Sequence, residues 1–75
     1  MNPITTRQRR ILDAIRAHRE ETGGAPILAD ICKRTTIKSV QTVWLELKIL
    51  VALGYVIKGN GHRQTALTER GRRAL

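Results

Sequence analysis

Apolar positions recur at helical spacing three times along the chain, and then the period changes. Ile11, Leu12 and Ile15 form the first stripe, with Asp13 and Arg16 turned outward. Thr5 or Thr6 can cap the start of that helix. Glu21-Thr22-Gly23-Gly24-Ala25-Pro26 stops it, because Gly23 suits a left-handed closing residue and Pro26 disfavours helix at Ala25. The pattern predicts a helix over about residues 6–22. A shorter one follows over about 28–35, with Ile31 as its core anchor. After the break Thr35-Thr36-Ile37-Lys38, Ser39 is a good cap for a strongly apolar segment that runs to Leu53 and stops at Gly54. Two helices separated by a three- or four-residue turn make a helix-turn-helix.

Beyond Gly54 the chain becomes β-prone. Tyr55-Val56-Ile57-Lys58 reads as a strand, Gly59-Asn60-Gly61 as a reversal, and His62 to Leu67 as the returning strand. This hairpin, over about 55–67, would carry Lys58, His62 and Arg63 near its tip. Thr68 can cap a last short helix over about 69–75 bearing Arg70, Arg72 and Arg73. The predicted fold is mainly α with a small β-hairpin: three helices in a winged helix-turn-helix, plus a short C-terminal helix, in one domain.

Composition narrows the function classes. The 75 residues contain no Phe, one Trp and one Tyr, which argues against a deep, water-excluding enzyme pocket. No paired carboxylates, metal-ligand cluster or phosphate-cradling glycine loop appears, so the reading is non-catalytic, without cofactor or metal. His18 and His62 with a single cysteine do not give metal-site spacing. Cys32 alone excludes an intramolecular disulfide framework and reads as a small buried hydrophobe. No apolar run approaches the roughly 20 residues needed to cross a bilayer. Arg7, Arg9 and Arg10 interrupt any signal-peptide core, so a cytoplasmic protein is expected. Fourteen Lys plus Arg against six Asp plus Glu leave a net charge of +8, and an anionic partner is expected.

Specific residues sharpen that partner. Ile4-Thr5-Thr6-Arg7-Gln8, Ile15-Arg16, Gly23 with Pro26, Asp30-Ile31, Ser39, Leu47-Lys48, Leu50 and Gly54 resemble the N-terminal DNA-binding domain of the LexA repressors. The likeness runs in register from about residue 4 to residue 58. Leu67-Thr68-Glu69-Arg70-Gly71 is also similar to the strand-to-helix exit of many winged-helix transcription factors. The resemblance implies double-stranded DNA as partner, 28–35 as positioning helix and 39–53 as recognition helix. The positions matching the family's base-reading sites are Ser39, Gln41, Thr42, Trp44 and Leu45. Gln41 also has independent chemical merit, since its amide can pair bidentately with adenine. Arg7, Lys38, Lys58, His62 and Arg63 are candidates for phosphate contacts.

The departures are equally informative. Trp44 and Leu45 stand where the family has polar readers, which implies a different operator. Thr36 replaces a turn glycine, implying a different turn or strain. Ala52 and Leu53 replace residues that are commonly basic. Nothing in these residues corresponds to the family's self-cleaving domain.

On a helical wheel Val43, Leu47 and Leu50 form a core stripe, while Leu45, Ile49 and Ala52 lie nearly opposite. A helix apolar on both sides needs an additional partner. Leu45 against thymine methyls is one occupant. The C-terminal helix or a second subunit over Ile49 and Leu53 is another, and a different protein over Trp44, Leu45 and Ile49 is the third. Trp44 itself reads as a partly buried residue at the edge of the core stripe. A homodimer on a repeated half-site is the economical expectation, because one copy reads only a few base pairs.

Overall fold

The computed structural model describes residues 4–57 and 65–75. Helix α1 (Thr6–Thr22) begins in a capping box. The Thr5 hydroxyl accepts from the Gln8 N–H at 3.0 Å, while the Gln8 side-chain carbonyl accepts from the Thr5 N–H at 2.9 Å. Gly23 closes the helix in the left-handed conformation, φ 77°, and its N–H bonds the Arg19 carbonyl. Helix α2 (Leu28–Thr35) starts with the Asp30 carboxylate accepting from the Ile27 N–H at 3.0 Å. Helix α3 (Val40–Ala52) is capped by Ser39, whose hydroxyl accepts from the Thr42 N–H at 3.2 Å.

Strands β1 (Val56–Ile57) and β2 (Ala66–Leu67) pair antiparallel, Val56 opposite Leu67 and Ile57 opposite Ala66. Helix α4 (Glu69–Arg73) follows, capped by Thr68. The molecule is thus mostly helical with a small antiparallel hairpin, the arrangement of a winged helix-turn-helix. The segment between the two strands, carrying Lys58, His62 and Arg63, lies outside the described residues.

The core is aliphatic. Ile11, Leu12 and Ile15 of α1 are fully enclosed by Ile31 of α2, by Val43, Leu47 and Leu50 of α3, and by Val56 and Leu67 of the hairpin. Tyr55 closes one end, and Cys32 packs half-buried against the cluster rather than within it. One face of each helix therefore supplies the core.

Polar contacts pin the outer elements to this core. Arg34 of α2 holds Glu21 of α1 through two hydrogen bonds of 2.8 and 3.2 Å. Beside them, His18 stands 3.6 Å from Asp30. An Arg19 guanidinium N–H donates to the Thr65 carbonyl at 3.3 Å, tying α1 to the start of β2. Thr68 joins the C-terminal segment to the end of α3. Its N–H donates to the Tyr55 carbonyl at 3.1 Å, and its hydroxyl donates to the Gly54 carbonyl at 2.6 Å while accepting from the Gly71 N–H. Arg70 adds a guanidinium 4.9 Å from the Tyr55 ring centroid.

Gly71 sits where a side chain would collide with the Tyr55 carbonyl. Gly71→Ala is expected to destabilise the protein by about 1–3 kcal/mol through forced separation of α4 from the hairpin. Gly24→Ala, where the added methyl meets only ordinary contact with Thr22, should leave the thermal midpoint nearly unchanged. Equal midpoints for the two variants in thermal circular dichroism would refute the close approach.

The Arg34 guanidinium holds the Glu21 carboxyl below its ordinary range, first by hydrogen bonding and then by charge. A depressed carboxyl pKa stabilises the fold above the unfolded value, and the effect disappears as pH falls through the folded value. Glu21→Gln should therefore lower the melting temperature at neutral pH. That difference should shrink to nothing as the carboxylate range is crossed downward, which melts at stepped pH would measure.

Candidate nucleic-acid interface

The site begins at the turn between α2 and α3. Thr36, the C-terminal cap of α2, adopts φ 60° and ψ 15°, a left-handed conformation that a β-branched residue takes only under strain. Its hydroxyl donates to the Thr35 carbonyl at 2.5 Å, and the buried Thr35 hydroxyl donates to the Ile31 carbonyl at 2.7 Å. The turn thus keeps the backbone path that a glycine would follow, with a threonine in its place. It sends Ile37 inward against the core, and leaves Lys38 and Ser39 exposed at the start of α3.

A cleft of about 580 Å³ opens there, between the N-terminal turn of α1 and the α2–α3 turn. Thr6, Arg7 and Arg10 line one side, and Thr36, Lys38, Ser39 and Thr42 the other. Three cations and five hydroxyl residues, the buried Thr35 among them, line a common space with no carboxylate in its lining. Arg7 and Arg10 share it because residues three apart lie on one helical face.

The carboxylates are occupied elsewhere. Asp13 and Glu20 flank Arg16 at 2.6 and 2.5 Å, Glu21 binds Arg34, and Glu69 binds Arg73. Asp30 caps α2, and Glu46 accepts from the buried Gln8 amide at 3.4 Å. All six acidic residues of the chain thereby have internal partners. Arg16 carries a raised pKa, chiefly from its hydrogen bond to Asp13. Of the basic residues on α1, Arg16 and Arg19 are engaged within the protein, whereas Arg7 and Arg10 open onto the cleft.

On α3, Val43, Leu47 and Leu50 are buried and face the other helices. Gln41 is exposed on the opposite side, Thr42 is half-buried at the cleft, and Ser39 is used as the cap while remaining exposed. Four apolar residues of the expected contact face stand in solvent: Trp44 is 39% exposed, Leu45 48%, Ile49 45% and Leu53 38%. Trp44 lies at the rim of the stripe formed by Val43, Leu47 and Leu50. Its outer face is covered by the Lys48 ammonium, 4.5 Å from the ring centroid.

The sequence-predicted residues therefore divide. Arg7, Lys38, Ser39 and Thr42 come together at the cleft, and Gln41, Leu45 and Trp44 share the outer side of α3. Ile49 and Leu53 follow toward the C-terminal end of that helix. Lys58, His62 and Arg63 fall outside the described residues. Sequence reasoning passed over Thr6 and Lys48 as contact residues. The four-residue spacing of Trp44 and Lys48 was the signal available for the second of them.

A family model described as the LexA DNA binding domain matches residues 1–65. This chain belongs to that family. It is 40% identical over 53 residues to the LexA repressor of Bifidobacterium longum strain DJO10A, covering 71% of this chain and 22% of that protein. It is 36% identical over 63 residues to the LexA repressor of Petrotoga mobilis, covering 84% of this chain and 31% of the relative. The LexA repressor of Shewanella frigidimarina is 39% identical over 56 residues, covering 75% and 28%. The chain thus spans less than a third of the length of the relatives it matches. The family match takes in all three main helices and β1 of this LexA-type domain, and ends before β2 and α4.

Replacing Thr36 by glycine tests the strained turn. Relief of the left-handed conformation, about 1–2 kcal/mol, outweighs the added chain entropy of about 0.5–1 kcal/mol. Thr36→Gly should raise the melting temperature by several degrees, and Thr36→Val should lower it. A glycine variant that melts earlier than the parent would show that the threonine hydroxyl, not the backbone angle, governs this turn.

Proposed function

We propose that this LexA-type domain binds double-stranded DNA sequence-specifically as a transcriptional regulator of a bacterium, phage or plasmid. In this reading α3 enters the major groove and the hairpin lies along the flanking backbone. The observation that carries it is the cleft of Arg7, Arg10 and Lys38 beside the N-terminal end of α3. Anions are favoured at a helix N-terminus, and three cations with hydroxyl donors around it suit backbone phosphates. Phosphate contacts position a protein on the duplex, and the outer side of α3 then meets the base edges. Ser39, Gln41, Thr42, Trp44 and Leu45 are the proposed base-facing residues. Lys58, His62 and Arg63 are proposed to extend the phosphate contacts along the hairpin. The role is non-enzymatic, the site of action is the cytoplasm, and a homodimer on paired half-sites is the proposed assembly.

A second reading uses the same fold to hold a protein, as an antirepressor or inhibitor of the transcription machinery would. The exposure of Trp44, Leu45 and Ile49 on one helix favours it.

Selection from random duplex DNA at about 150 mM salt separates the two readings, since screening at that ionic strength damps non-specific attraction. An enriched motif, altered by Gln41→Ala, is the expected result, and paired half-sites within it would report a dimer. With about five phosphates neutralised per copy, log K should fall with log salt at a slope of roughly −4 to −5. Arg7→Ala and Arg10→Ala should each reduce that slope by about one. Absence of any enriched motif, with wild-type slopes in both arginine variants, would transfer the assignment to a protein partner.

A further inference from the structure

The face of α3 farthest from the core can be located from its burial pattern. At about 100° per residue, Gln41, Leu45, Lys48 and Ala52 fall within about 60° of one another, roughly 160° from the mean direction of Val43, Leu47 and Leu50. All four are exposed, and the three opposite are buried. This stripe, an amide followed by an isobutyl group, an ammonium and a methyl, projects farthest from the body of the domain.

We infer that Leu45 reads the 5-methyl group of thymine, so that the operator of this protein contains a required T·A pair near the adenine bound by Gln41. The inference rests on the major-groove reading above and specifies its base chemistry. An apolar side chain among polar ones matches the major-groove edge, where thymine alone offers a methyl group beside hydrogen-bonding atoms. A protein-binding patch has a different composition, since charged residues and lysine in particular are depleted from the centres of such interfaces. Here Lys48 lies within the stripe itself. Its ammonium is drawn aside over the Trp44 ring, at 4.5 Å, on the flank away from Leu45. The isobutyl group is thereby left uncovered, 48% exposed. Gln41 lies one turn earlier, about 6 Å along the axis, which corresponds to about two base-pair steps. Cytosine at the same place would offer an amino group that leucine cannot satisfy, and loses the methyl contact as well.

Replacing thymine by deoxyuridine removes the methyl group and leaves the base pairing intact. The duplex enriched by selection is therefore resynthesised with single thymine-to-uracil replacements, and binding is measured by fluorescence anisotropy at about 150 mM salt. One replacement is expected to weaken wild-type binding about fourfold, the value of one buried methyl group. Leu45→Ala should bind the thymine and uracil duplexes alike. Because Leu45 is exposed, this variant should keep the parent's melting temperature. An enriched motif in which no uracil replacement matters, which lacks T·A pairs, or whose uracil sensitivity persists undiminished in Leu45→Ala overturns the inference while leaving sequence-specific DNA binding intact. Failure to enrich any motif overturns both.

Discussion

Everything in this molecule leans on three side chains of α1. Ile11, Leu12 and Ile15 are wholly enclosed, and α2, α3 and the hairpin are each laid against them. With no Phe in the chain, the core is built mainly from branched aliphatics that fit closely together, and Tyr55 adds its ring at one end. A small domain has little surplus of buried surface, so no helix can be loosened without opening this cluster to water. The helix-turn-helix is held at its angle by that packing, and the strained Thr36 backbone is tolerated because the core on both sides of the turn over-determines it.

The second organising feature is the placement of charge. The chain is strongly basic, but its cations are unevenly used. Arg16, Arg34 and Arg73 are matched to nearby carboxylates, and Arg19 braces the start of β2. These exposed pairs contribute little stability individually. Their larger effect is distributional, because they engage acidic groups away from the cleft where Arg7, Arg10 and Lys38 meet. Three cations without a carboxylate beside them therefore stand near the N-terminal end of α3, where the helix dipole also favours an anion.

Helix α3 joins these two features. Its inner stripe completes the core, and its outer stripe cannot be buried by a domain with so few elements. That is why an apolar residue such as Leu45 is conspicuous there. The same helix carries Trp44 at the rim of the inner stripe, with the Lys48 ammonium 4.5 Å from its ring centroid.

Much of this was legible in the chain itself because it depends on neighbours a few residues apart. A Thr-x-x-Gln start, a Gly-Gly-Ala-Pro stop and a serine ahead of a long apolar run mark helix ends through backbone hydrogen bonds that form locally. Helical spacing likewise separated Val43, Leu47 and Leu50 from Leu45 and Ile49, and the change to β-prone residues after Gly54 announced a hairpin. Other properties required the three-dimensional arrangement. That Arg7 and Arg10 face Lys38, that Arg19 turns away to Thr65, and that Cys32 stops short of the core depend on contacts between distant segments. Local sequence determined which residues form helices and which faces of them are apolar. Tertiary packing decided which apolar side chains were enclosed and which cations were left unmatched, because both depend on the volume and the partners that other elements had already taken.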